Sequence, residues 1–218
     1  MTLTTNLGFP RIGPRRELKQ ALEAHWRGEL PATQLLDTAR ELRARHWRLQ
    51  REAGIDLPPS NDFSLYDQVL DTALLFDAIP RRYRAVVEAA PLAGYFAMAR
   101  GLQRPGIDLH ALEMTKWFDT NYHYLVPELE AGQDFALRGD TPVAQYLEAR
   151  RLGIETRPVL IGPVTFLWLS KTVDGSDRFA LLDRLVPAYV QLLEKLHAAG
   201  AGWVQVDEPA LVLDLPEP

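Results

Sequence analysis

The chain has 218 residues, 47% of them hydrophobic and 24% charged, with 24 Lys and Arg against 29 Asp and Glu for a net charge of −5. That balance suits an ordinary core-forming globular chain and argues against a protein built around a basic nucleic-acid surface. The absence of cysteine removes disulfides, thiolate metal ligands and cysteine nucleophiles in one step. No apolar run approaches the roughly 20 residues of a membrane span, and Met1 to Asn6 lack the basic start and apolar core of a secretory signal. A cytoplasmic location, with neither a membrane nor a nucleic-acid partner, is the expectation.

Leu7 to Lys19 reads as a short apolar strand, near residues 3–9, that breaks on Gly and Pro and opens a helix. Gly13 suits the N-cap and Pro14 the first helical position, where proline has no N–H to lose. Arg15, Arg16 and Lys19 then place three cations where the helix dipole is already positive. Together with unpaired N–H groups they form a receptor for carboxylates or phosphates. The competing reading is a solvated surface with Glu17 as partial counter-ion.

A second helix starts at Pro31 and ends at Gly54, with Leu35, Ala39, Leu42, His46, Leu49 and Ala53 as its apolar stripe. Its five arginines are interleaved with glutamates and read as a solvated face. Pro58-Pro59 forces an extended entry into a strand at 61–66, and a helix follows from Asp67 to Ile79. Asp62, Asp67 and Asp71 lack the pattern of a calcium loop and read as helix caps. Residues 81–106 give helical fragments at 82–90 and 93–100 without identifiable chemistry.

Lys116 stands beside Trp117 and Phe118, and Tyr122, Tyr124 and Val126 share one face of a strand. A lysine so placed binds an anion or rests its stem on a ring. Pro158 to Ile161 is a short buried strand ending in Gly162-Pro163. Ser176 or Asp177 caps a helix whose stripe is Leu182, Leu185, Tyr189, Leu192 and Leu196, which Pro187 is expected to bend. Trp203 to Val206 is a last strand, with Asp207 and Glu208 at its carboxyl end inviting a general-base role. Neighbours on an extended chain point to opposite sides, so the two are not a matched pair.

Strand candidates near 3–9, 61–66, 121–127, 158–162 and 203–206 alternate with helices and predict an α/β fold of parallel β-α units. The pattern leaves an open sheet or a barrel, and five strands are too few for a closed barrel of eight.

Four stretches together, Leu-Gly-Phe-Pro-Arg-Ile-Gly with Arg-Arg-Glu-Leu-Lys, Glu-Met-Thr-Lys-Trp-Phe-Asp-Thr-Asn-Tyr-His-Tyr, Gly-Pro-Val-Thr-Phe-Leu-Trp-Leu and Val-Asp-Glu-Pro-Ala-Leu, resemble the amino-terminal barrel of cobalamin-independent methionine synthase. The resemblance runs from Leu7 to Leu213. It implies that residues 1–218 are a truncated amino-terminal domain, an incomplete parallel (β/α) barrel of TIM type with about five of eight strands, and that the catalytic carboxyl-terminal barrel is missing. It also implies an enzyme that moves the methyl group of 5-methyltetrahydropteroyl-polyglutamate to homocysteine without cobalamin, this chain alone being inactive. Arg16, Glu17, Leu18, Lys19 and Lys116 match the positions that hold the donor's polyglutamate tail. The family's zinc, on two cysteines, a histidine and a glutamate, belongs to the other barrel. His25, His46, His110, His123 and His197 offer no paired ligand spacing, and no catalytic or metal-binding residue is expected here. Asp207 reads as a relic of a motif used in the second barrel. Two alternatives are a non-catalytic binder of folate polyglutamate or other polyanions, and a self-contained barrel hydrolase or lyase using Asp207 or Glu208.

Overall fold

The structure, a computed structural model, describes residues 2–214. The chain divides into two compact units, one of Met1–Leu65, Thr141–Val159 and Leu196–Gln205, the other of Tyr66–Asp140, Leu160–Lys195 and Val206–Pro218.

In the first unit the strand expected near 3–9 is reduced to an isolated parallel bridge between Thr5 and Leu57. Gly8 weakens the run and Pro10 has no N–H for a ladder. Side chains hold the segment instead, with Asn6 Nδ2 on Gln50 Oε1 at 2.9 Å and Phe9 N on Asp62 Oδ2 at 2.9 Å. Helix α1 (Glu17–Trp26) begins three residues later than Pro14 because Arg16 is left-handed, at φ 62° and ψ 35°. Its buried side is Leu18, Ala21 and Leu22. Helix α2 (Ala32–Glu52) buries Leu35, Ala39, Leu42, His46, Trp47 and Gln50, whereas Leu49 is 52% exposed. Alternating four- and three-residue steps have a 3.5 period, and a 3.6 helix drifts off it by about 20° per seven residues, so Trp47 and Gln50 replace Leu49 and Ala53. Trp47 also donates its indole N–H to Pro59 O at 2.9 Å. Strand β1 (Pro59–Ser60) ends before the expected 61–66 because Asn61 is left-handed, at φ 60°.

The second unit opens with α3 (Gln68–Leu75), capped as expected by Asp67, which accepts from Val69 N and Leu70 N. Helices α4 (Arg81–Ala89) and α5 (Pro91–Arg100) pack closely: a Cβ on Gly94 would lie 2.5 Å from Val87 Cγ2. Strands β2 (Leu102–Arg104) and β3 (Ile107–Leu109) form an antiparallel pair, as do β4 (Met114–Lys116) and β5 (His123–Leu125), followed by β6 (Glu128–Leu129). Helix α6 (Thr141–Arg151) and the start of β7 (Arg157–Ile161) return to the first unit, where β7 pairs with β1 in parallel and Trp47, Ala149 and Ile154 cluster. Back in the second unit come α7 (Pro163–Leu169), β8 (Lys171–Thr172), parallel to β6, and α8 (Leu182–Ala198), which contains Pro187. Before α8, Asp177 caps a 3-10 turn at Arg178–Leu181, accepting from Phe179 N. Strand β9 (Gln205–Asp207) is the last.

Among the described residues the sheets are one of three strands, in the order β1-β7-β9, and three of two strands, with eight α-helices. The fold is α/β, but no closed barrel forms, and the incomplete parallel barrel of TIM type expected from the sequence is corrected. Residues 3–9 do not become a strand, and 123–125 turns back antiparallel on 114–116 instead of taking a parallel neighbour.

Candidate functional site

The opening turn is organised by an anion of its own. Glu17 Oε2 accepts Arg15 N at 2.9 Å, and Glu17 Oε1 accepts both terminal nitrogens of Arg45 at 3.1 Å. Its own backbone N–H, then that of Arg15 and the Arg45 guanidinium, outweigh desolvation and bring the Glu17 carboxyl down to about 2. Gly13 makes room for it: at φ 82°, a Cβ there would meet Glu17 Oε2 at 2.3 Å. The N–H groups read from the sequence as unpaired are in use, since Arg16 N donates to Gly13 O and Leu18 N to Ile12 O. What remains for a ligand is side chains. Leu18 is 1% exposed and anchors α1 in the core. Arg16 and Lys19 are exposed three residues apart; Lys19 has only a loose partner in Glu23, at 3.7 Å. These four positions lie in the first unit.

Lys116 lies in the second unit, at the end of β4 opposite His123. It is exposed and enters no ion pair among the described residues. The Trp117 ring beside it meets Phe118 at 5.3 Å and Tyr124 at 6.2 Å, both edge-on.

Glu208 has a structural task. Its Oε1 accepts Val164 N at 3.0 Å and its Oε2 accepts Thr165 N at 2.6 Å, so it caps α7, whose own N-cap Gly162 has no side chain. A Cβ on Gly162 would fall 2.1 Å from the Glu208 carboxyl carbon. Asp207 O takes Gly162 N at 2.8 Å. Both carboxylate oxygens of Glu208 are thus engaged by a helix start, which does not favour a general base. Glu208→Ala is expected to cost about 1–2 kcal/mol in urea denaturation, with Glu208→Gln losing less; unchanged stability in both would refute the cap.

Sequence reading missed two further groups. Asp62 ties down the Leu7–Lys19 stretch through Phe9 N, and burial pushes its carboxyl up to about 6. An open cavity of about 380 Å³ in the second unit is lined by Arg81, Arg82 and Arg84, paired in turn with Glu130, Glu128 and Asp77. Its charges are satisfied internally.

No group of three or more His, Asp or Glu among the described residues is placed to hold a metal ion, and the chain has no cysteine. The zinc ligand set implied by the resemblance therefore does not fit this chain. No helix among the described residues is long and apolar enough to cross a membrane.

A family model described as "Cobalamin-independent synthase, N-terminal domain" matches residues 3–218. The chain belongs to this family. A 5-methyltetrahydropteroyltriglutamate–homocysteine methyltransferase of Xylella fastidiosa (strain M23) is 75% identical over 215 residues, covering 99% of this chain and 28% of the relative. The Saccharomyces cerevisiae protein of the same name is 51% identical over 225 residues, covering 99% of this chain and 29% of the relative. The chain thus spans less than a third of the length of these cobalamin-independent synthase relatives. The backbone is also similar to that of a B12-independent methionine synthase from Shewanella sp. W3-18-1, with a TM-score of 0.58 at 16% identity over 85% of this chain and 46% of that one.

Proposed function

We propose that this segment holds the polyglutamate tail of 5-methyltetrahydropteroyl-polyglutamate for a cytoplasmic, cobalamin-independent enzyme that passes the methyl group to homocysteine. Bond-making is left to the carboxyl-terminal barrel that the resemblance implies. The observation that carries the reading is the pair Arg16 and Lys19, exposed one turn apart beside a helix start whose own acid, Glu17, is already engaged. Leu18 fixes the turn to the core, and Glu17 sets its shape. A surface pair such as Lys19–Glu23 is worth roughly 0–1 kcal/mol, so a ligand carboxylate can displace it.

Each added glutamate brings one carboxylate, and a charge-assisted contact is worth about 1.5–3 kcal/mol when partly desolvated and less at an exposed side chain. A triglutamate should bind the chain more tightly than a monoglutamate, with the difference shrinking as salt rises. Calorimetric titration of both forms against Arg16→Ala and Lys19→Ala should show most of that difference lost, whereas Arg48→Ala, on the exposed side of α2, should keep it. Equal affinity for both ligands, or equal losses in all three variants, would refute the role of the opening turn.

A further inference from the structure

Arg178, at the start of the 3-10 turn in the second unit, is a half-buried cation that enters no ion pair among the described residues, although the Asp177 charge lies near it. Its guanidinium carbon lies 4.7 Å from the centroid of the Trp168 ring and 5.7 Å from that of Phe179, and these two rings are stacked at 27°. One N–H donates to Ser170 O at 2.8 Å. Among the described residues Arg178 forms no ion pair, whereas the half-buried arginines Arg43 and Arg84 have Glu148 at 2.7 Å and Asp77 at 3.1 Å; half-buried Arg157, which also enters none, donates to Asn6 O at 2.7 Å. Burial depresses its pKa, with the Tyr124 and Asp177 charges opposing. A partly desolvated guanidinium is unfavourable unless something answers its charge; the rings and one carbonyl do so in part, and most of its five donors keep the fork geometry that takes a carboxylate bidentately. Around it, Tyr124 donates to Leu169 O at 3.1 Å and packs its ring on Trp117, the neighbour of Lys116.

We propose that Arg178 is a carboxylate-binding residue on an aromatic shelf of Trp168 and Phe179, shaped for an anion attached to a flat ring. Resting on the methyl-donor reading, that anion is the carboxylate of the first glutamate, which is joined to the aminobenzoyl ring of the donor. The shelf answers the ring and the fork answers the carboxylate.

Because the chain has five tryptophans, total fluorescence would not resolve the shelf; the indole N–H resonance of Trp168, assigned by its loss in Trp168→Phe, does. Titrating the 218-residue chain with p-aminobenzoylglutamate should give a saturable shift of that resonance. Arg178→Met should weaken binding by about tenfold, and Arg178→Lys, which keeps the charge but not the fork, by less. Free triglutamate, which has no ring, should leave the Trp168 resonance in place. Arg16→Ala should leave the p-aminobenzoylglutamate titration unchanged while reducing the triglutamate preference. No saturable shift at millimolar probe, or undiminished binding in both Arg178 variants, overturns the proposal. Should Arg178→Met fail to give a folded spectrum, the Arg178→Lys titration decides. Loss in the Arg178 variants with no effect of Arg16→Ala and Lys19→Ala would sink the tail reading and leave this one standing; the converse would do the opposite.

Discussion

Replacing Asp67 by alanine is expected to destabilise the second unit by about 3 kcal/mol. The side chain is 1% exposed, and its Oδ1 accepts Val69 N at 3.3 Å while its Oδ2 accepts Leu70 N at 3.0 Å and Leu125 N at 3.1 Å. It therefore caps α3 and fastens that helix to β5 at one point. Alanine would leave three N–H groups without their acceptor in a dry setting, at roughly 1–3 kcal/mol each before relaxation or entering water relieves part of it. Asp67→Asn keeps one oxygen and should lose less. The control is Asp37→Ala on α2, where the carboxylate is 56% exposed and pairs with Arg40 at the surface, a contact worth roughly 0–1 kcal/mol. Urea denaturation of the three variants is the measurement, and a similar loss for Asp37→Ala and Asp67→Ala would contradict the cap-and-tie role.

Asp62→Asn is expected to act in the opposite direction and to show its effect through pH. Burial holds the Asp62 carboxyl at about 6 against an ordinary 3.8, with the Phe9 and Asp62 N–H groups and the Arg43 charge only partly countering it. A carboxyl raised in the folded state binds its proton there more readily than in the unfolded chain. Its contribution to stability therefore rises as pH falls from about 7 towards 4, and above 6 the charged form is carried at a cost. The shift of about 2 units corresponds to at most about 3 kcal/mol, and because the side chain is only half-buried about 1–2 kcal/mol is the fitting expectation. Asparagine keeps an acceptor for Phe9 N and carries no charge. The variant should be more stable than the parent at pH 7 and equal to it at pH 4. Glu17, depressed to about 2, works the other way, and its support is lost as pH falls below its ordinary 4.5 towards 2. The variant-minus-parent difference isolates Asp62, and a difference that does not change with pH would overturn the assignment.

What the sequence made legible was local. Asp67 announces its cap by preceding an apolar run, and the run at 158–161 becomes β7 nearly as drawn. The antiparallel pairing of 114–116 with 123–125 was not read from the sequence, although Asp119-Thr120-Asn121 is turn chemistry, and Thr120 closes the turn by donating N–H and Oγ1 to Trp117 O. The parallel pattern of the surrounding strands masked it. Contacts that bring distant residues together left no such trace. Phe9 to Asp62 spans 53 residues and Glu208 to Val164 spans 44, and neither carboxylate has a neighbour in sequence that reveals its partner. Arg178 is adjacent to Phe179, but its second ring, Trp168, lies on another helix. In the opening turn the sequence suggested a vacancy that the structure fills, because Glu17 occupies the helix start that the cations were expected to leave open to a ligand.

Under the tail-binding proposal, the left-handed backbone at Arg16 sets stability against recognition at a single residue. A side chain with a Cβ in that conformation costs about 1–2 kcal/mol relative to glycine, which sits there without strain. Selecting variants of this chain for heat resistance alone would thus favour Arg16→Gly and strip the turn of one of its exposed cations. A library screened for both thermal tolerance and affinity for polyanions should divide at this position, the hardier members being the poorer binders.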